Sequence, residues 1–162
     1  MSPDDRAALL LSYAQGPEQL RRAVEGLAPA LLDARPAPGA WTVREVVVHV
    51  AEAELHGYLR ARFAMAQEDV TILPFAQEAW AATFRAGDQP LDEVLELFRL
   101  TRELLARQLR ALPEAQWGRA VRHPEAEAPL TLEALLARYE NHLKVHLAQI
   151  ARTVRAVGTG AR

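Results

Sequence analysis

Histidine is the side chain whose ordinary pKa lies nearest neutrality, and its neutral ring is a common metal ligand. Two of the chain's five histidines, His142 and His146, stand four residues apart in "YENHLKVHLAQI". Residues at that spacing share one face of a helix, with Cβ atoms about 5–6 Å apart. Two imidazoles so placed can converge on one ion, although an ordinary structural pair has the same spacing. A third histidine, His49, sits inside "VVVHVAEAE", flanked by Val46, Val47, Val48 and Val50. Burying imidazole among valines costs free energy unless its nitrogens are engaged. Three histidine ligands from two helices leave a divalent ion with an open position, the arrangement of a catalytic rather than a closed structural site.

Two polar neighbours are candidates for catalytic support. Glu52, three residues after His49, is placed to orient a ligand or accept a proton; a solvent-facing glutamate fits the same spacing. Gln149, three after His146 and seven after His142, is placed to hydrogen-bond a ring nitrogen or a bound water; a polar residue at a bundle rim fits equally. His56 shares much of the face of His49 but reads as a surface histidine. His123, before Pro124, reads as a solvated loop residue.

The elements that must position these residues are helical. Ser2 and Pro3 are suited to start a first helix, which Gly16-Pro17 is expected to kink or interrupt. The pattern resumes through Gly26, with a short turn over Ala30 to Asp33 and a loop at "RPAPGA". In "TVRE", Thr42 and Glu45 form a capping-box pattern for a second helix running to about Gln67. "DVTILPF" reads as a loop, followed by a short helix over Ala76 to Arg85. The third main helix opens at Gly87 to Pro90 and runs to Leu112. "PEAQWGRAVRHPEAEAP" is a second irregular connection. Thr131 caps a fourth helix to about Val157, and 158–162 reads as a frayed, disordered tail. No segment reads as a strand. The expected architecture is all-α, a four-helix bundle in one domain over 1–162, with long connections between helices two and three and between three and four. Trp41 is placed to staple the start of the second helix. Phe75, Trp80, Phe84 and Trp117 fall in or near the long connections, where aromatic rings seal bundle ends or wall a pocket.

Composition narrows the function classes. With 162 residues, half of them hydrophobic, the chain can bury a core of useful size. A net charge of −2 offers no basic surplus for phosphate tracking, which argues against nucleic acid as a partner. No apolar run approaches the roughly 18–20 residues of a membrane span, and "MSPDDRAALL" is acidic where a secretory signal is basic. A cytoplasmic location is expected. There is no cysteine, so any metal binds through His, Asp or Glu, and any thiol chemistry uses a thiol brought from outside.

"PGAWTVREVVVHVAEAE", "ILPFAQEAW" and "RHPEAEAPLTLEALLARYENHLKVHLAQI", in that order, resemble the DinB-like superfamily, within it the YfiT group of metal-dependent hydrolases and bacillithiol transferases. The resemblance covers roughly Pro36 to Arg152. It implies a four-helix bundle holding a divalent ion, zinc or nickel, on His49, His142 and His146. It also implies a small thiol such as bacillithiol as co-substrate. The sequence departs from the group's more histidine-rich pattern at Val48, Glu54, Lys144 and Gln149. The loop that often reads proline-tyrosine-acid here reads Pro74-Phe75-Ala76. The activity expected is transfer of a small thiol to an electrophilic small molecule. Hydrolysis through metal-activated water and a non-catalytic metal-binding stress role are the alternatives. Arg60, Arg62 and Arg138 are candidates for a basic pocket suited to an acidic thiol. The resemblance implies a homodimer, since relatives of this kind are often dimers, and symmetric pairing is expected.

Overall fold

The computed structural model describes residues 1–124 and 126–159. Among the described residues there are six α-helices: α1 (Pro3–Val24), α2 (Pro29–Asp33), α3 (Val43–Ala66), α4 (Gln77–Thr83), α5 (Leu91–Arg110) and α6 (Leu132–Thr159). The long helices α1, α3, α5 and α6 form a four-helix bundle. Both α1 and α3 lie against α5 and against α6, so the order around the bundle is α1, α5, α3, α6. Main helices that follow one another in sequence, α1 then α3 and α5 then α6, therefore lie diagonally. The connection from α5 to α6 spans one of these diagonals, whereas the one from α3 to α5 joins neighbouring helices.

The caps are where the sequence places them. Thr42 Oγ1 accepts from the Glu45 N–H at 3.1 Å, and the Glu45 carboxylate accepts from the Thr42 N–H at 2.8 Å. Arg35 clamps Glu45 from outside. This box fixes the start of α3, and with it the face on which His49 emerges two turns later. Ser2 accepts from the Asp5 N–H at 3.1 Å and Thr131 from the Ala134 N–H at 3.1 Å.

Three expectations need correction. First, Gly16-Pro17 does not interrupt the first helix: α1 runs through Pro17 to Val24. Proline cannot donate to the carbonyl of Tyr13, four residues earlier. Arg102 Nη1 takes that place, donating to the Tyr13 carbonyl at 3.2 Å. Gly16 makes the room, since a Cβ there would stand 1.9 Å from the same nitrogen. Second, the connection before α6 contains a short antiparallel ribbon, β1 (Ala120–Val121) with β2 (Leu130–Thr131). Thr71 also bridges to Arg122, so the two long connections are tied to each other. Two-residue strands carry too little alternation to register as a pattern. Third, α6 continues to Thr159; the rest of the expected tail, 160–162, lies outside the described residues.

The core has two clusters. One gathers Tyr13, Leu105, Leu109, Leu135 and Tyr139; the other gathers Leu20, Val46, Val47, Phe98, Leu143 and Ile150. Arg102 bridges them, its guanidinium 4.1 Å from the Tyr13 ring centre and 4.9 Å from that of Phe98. The same group donates to Glu54 Oε2 at 3.1 Å and to the Tyr139 carbonyl at 2.7 Å, and Tyr13 donates its hydroxyl proton to Glu54. Glu54 and Arg102 are 2% and 1% exposed, so this is a fully buried ion pair. Its weight lies in mutual satisfaction: either charge alone would be stranded. No helix among the described residues is long and apolar enough to cross a membrane.

Candidate metal centre

The helices α3 and α6 pack side by side, and this contact brings the three histidines together. His49 Nε2 and His142 Nε2 are 3.1 Å apart, and His146 Nε2 is also 3.1 Å from His142 Nε2. Each histidine offers one nitrogen, and all three of these atoms lie within 4.8 Å of one another. Nε2 atoms bound tetrahedrally to zinc at 2.0–2.1 Å would stand about 3.3 Å apart. The two 3.1 Å separations lie close to that spacing.

Protons alone satisfy this arrangement poorly. His146 Nδ1 lies 2.8 Å from Gln149 Oε1. The amide oxygen accepts, so the ring proton sits on Nδ1 and Nε2 presents a lone pair. His142 Nε2 then faces two short contacts with at most one proton of its own. A cation at the common centre satisfies all three lone pairs at once. Burial, followed by its histidine neighbours and by Arg102 and Arg138, holds His142 down to about 3. Burial and then His146 hold His49 down to about 4. Burial also lowers His146, partly offset by the Gln149 bond. All three rings are neutral at pH 7, the form in which imidazole binds metal.

The rings are held in different ways. His146 is oriented by Gln149. His49 Nδ1 is buried with no hydrogen-bond partner among the described residues. Packing sets that ring instead, with Trp41 edge-on at 5.0 Å and Phe75 stacked at 5.9 Å. The role of Trp41 therefore extends beyond the helix start to the triad itself. Its signal in the sequence is its place just before the Thr42 cap, eight residues ahead of His49.

The remaining candidates sort clearly by position. Glu52 is half-buried, which raises its carboxyl pKa, and it makes no hydrogen bond to a triad histidine. His56 is not a bare surface residue: it stacks on Phe75 at 4.4 Å and meets Trp80 at 5.0 Å. The connection between α3 and α5 thus folds an aromatic strap over the α3 face that carries His49. A cavity of about 350 Å³ opens against His49 and His142, walled by Arg60, Phe75, His123, Arg138 and Tyr139. His123 is therefore a wall residue as well as a loop residue. Arg60 is buried and committed, donating to the Tyr139 hydroxyl at 3.0 Å and the Leu73 carbonyl at 2.9 Å. Arg138 is exposed and has no ion-pair partner among the described residues. Arg62 lies over Tyr58 instead and does not line the cavity. Among the described residues, no aspartate or glutamate lines it.

The DinB superfamily model matches residues 12–150. The chain belongs to the DinB superfamily. Among its relatives, a Geobacillus kaustophilus protein is 36% identical over 135 residues, covering 83% of this chain and 76% of the relative. YfiT of Bacillus subtilis is 32% identical over 145 residues, covering 88% and 80%. Both carry the provisional name of metal-dependent hydrolase. The solved structure of YfiT, described as having an unusual four-helix bundle topology, superposes with a TM-score of 0.91 at 28% identity, covering 98% of this chain and 90% of that one. A mycothiol-dependent maleylpyruvate isomerase shares the fold at a TM-score of 0.71 and 16% identity, covering 93% of this chain and 61% of that longer one. Within the superfamily this chain has the diagonal helix order and the three-histidine cluster described above.

Proposed function

We propose that His49, His142 and His146 hold a divalent ion, zinc or nickel, and that this DinB-superfamily protein transfers a small acidic thiol to an electrophilic small molecule. The observation that carries this reading is the convergence of three neutral Nε2 atoms at the wall of a cavity that, among the described residues, contains two arginines and no carboxylate. A divalent ion there supplies a Lewis acid that favours the anionic, nucleophilic form of a thiol. The chain's own residues do the rest. Gln149 fixes the tautomer of His146. Trp41 and Phe75 hold the His49 ring. Arg138 attracts the acidic group of the co-substrate, and Arg60 keeps the Tyr139 hydroxyl on the cavity wall. The lack of cysteine suits the reading, because the sulfur arrives with the co-substrate. The fold neighbour that is mycothiol-dependent supports the compatibility of this bundle with thiol chemistry.

The names of the relatives favour a second reading, hydrolysis by metal-activated water at the same histidines. Cytoplasmic location and homodimer formation belong to the proposal too. Leu97, Leu100 and Leu104 are exposed at helical spacing along α5, which supports self-association.

The test is zinc- or nickel-loaded protein with mercaptosuccinate and 1-chloro-2,4-dinitrobenzene. Sulfur attacks the ring carbon, the carbon–chlorine bond breaks, and chloride and a proton leave to solvent. Thioether formation that needs the protein's metal and is lost in His142→Ala supports transfer. Thiol-independent cleavage of 4-nitrophenyl acetate, with no thioether formed, would favour the hydrolase reading.

A further inference from the structure

The histidine cluster is reached from two sides. The basic cavity touches His49 and His142. A second cavity, of about 340 Å³, touches His146 and Gln149 and is walled by Gly39, Trp41 and Glu78. Gln77 lies on the wall of both and so stands at their junction. Each volume falls in the range of small-ligand sites. The two also differ in charge. Among the described residues, the first carries Arg60 and Arg138 without an acid, and the second carries Glu78 without an Arg or Lys. Among the described residues neither Arg138 nor Glu78 has an ion-pair partner, so each charge is available to its own cavity.

We infer that the second cavity is a separate ligand subsite, taking a planar group with a positive charge or N–H donors, which meets the ligand of the basic cavity at the histidines. The inference rests on the proposed reading that those histidines are the reacting centre. Trp41 supplies an aromatic wall for a planar group, Glu78 an acceptor for its N–H protons, and Gln149 a side-chain amide that already touches His146. An anion on one side and a cation on the other attract each other toward the junction, which favours simultaneous occupancy. Gln77 then becomes the residue that separates the two ligands and sets how closely they approach.

The experiment is a two-probe titration of zinc-loaded, 15N-labelled protein by NMR, with metal content measured on the same sample. Benzamidine is the planar cation and succinate the anion. Benzamidine is expected to move the amides of Gly39 and Ala40 and the Trp41 indole. Its binding should weaken about three- to fivefold in Glu78→Gln, the size of one exposed ion pair, and stay unchanged in Arg138→Gln. Succinate should show the reverse, and each probe should still bind when the other is saturating. Mutual exclusion of the probes, or benzamidine shifts confined to Ala53 and Phe75, would overturn the inference. So would indifference to Glu78→Gln. The metal measurement reports separately on the reading beneath it: zinc present with one shared site defeats the second subsite alone, whereas absent zinc defeats both.

Discussion

Gln149→Leu isolates the polar contact from outside the triad that orients His146. In the wild type, Gln149 Oε1 accepts from His146 Nδ1 at 2.8 Å, which holds the proton on Nδ1 and leaves Nε2 free. Leucine has nearly the same bulk and no acceptor. Without the bond, His146 samples the other tautomer and other ring rotations, and metal binding must restore the right one. A neutral hydrogen bond contributes about 0.5–1.5 kcal/mol net, and loss of a ligand's outer partner costs about 10–100-fold in affinity. Gln149 is half-buried, so water can partly replace it and the lower end applies. We expect zinc affinity to fall about tenfold, or ~1.4 kcal/mol. Gln149→Glu should act in the opposite direction, because a carboxylate acceptor strengthens the bond and makes the ring a better donor. Competition with a chromophoric zinc chelator measures both. Equal affinity in wild type and Gln149→Leu, or weaker binding in Gln149→Glu, would refute the claim that this bond presets the ligand.

Arg102→Met should cost about 3–5 kcal/mol in denaturant unfolding, because Glu54 is left charged and buried; the double variant Glu54→Leu/Arg102→Met should recover much of that loss, and a double variant no better than Arg102→Met would argue against the pairing. The metal-free protein should lose thermal stability as pH falls below about 6.5. His49 and His142 have folded pKa values of about 4 and about 3, under the unfolded value of 6.5, so the unfolded chain binds more protons in that window. Stability from these groups is complete above 6.5, and the loss levels off once pH passes below about 3. A melting temperature flat between pH 7 and 5 in the metal-free protein would contradict the burial of these rings.

The bundle was legible because its signals are long: period-3.6 helices of 20 or more residues, a capping box at Thr42 and Glu45, and N-caps at Ser2 and Thr131. The meeting of His49 with His142 and His146 was legible from helix periodicity plus the cost of burying imidazole. Pro17 misled because the partner that replaces its missing N–H lies 85 positions away, in Arg102, and no local pattern announces a distant guanidinium. The buried Glu54–Arg102 pair was hidden for the same reason. Each charge looks like an ordinary helix-surface residue until the helices are placed. The aromatic strap was half visible: Phe75 and Trp80 were candidates for a wall, but the stacking on His56 depends on how the connection crosses the bundle.

Metal content by elemental analysis, on tag-free wild type and His49→Ala offered zinc or nickel, tests the central claim most directly. The account predicts close to one ion per chain in the wild type and its loss in His49→Ala, with the fold intact by circular dichroism. Wild-type protein that stays metal-free when offered either ion would contradict it.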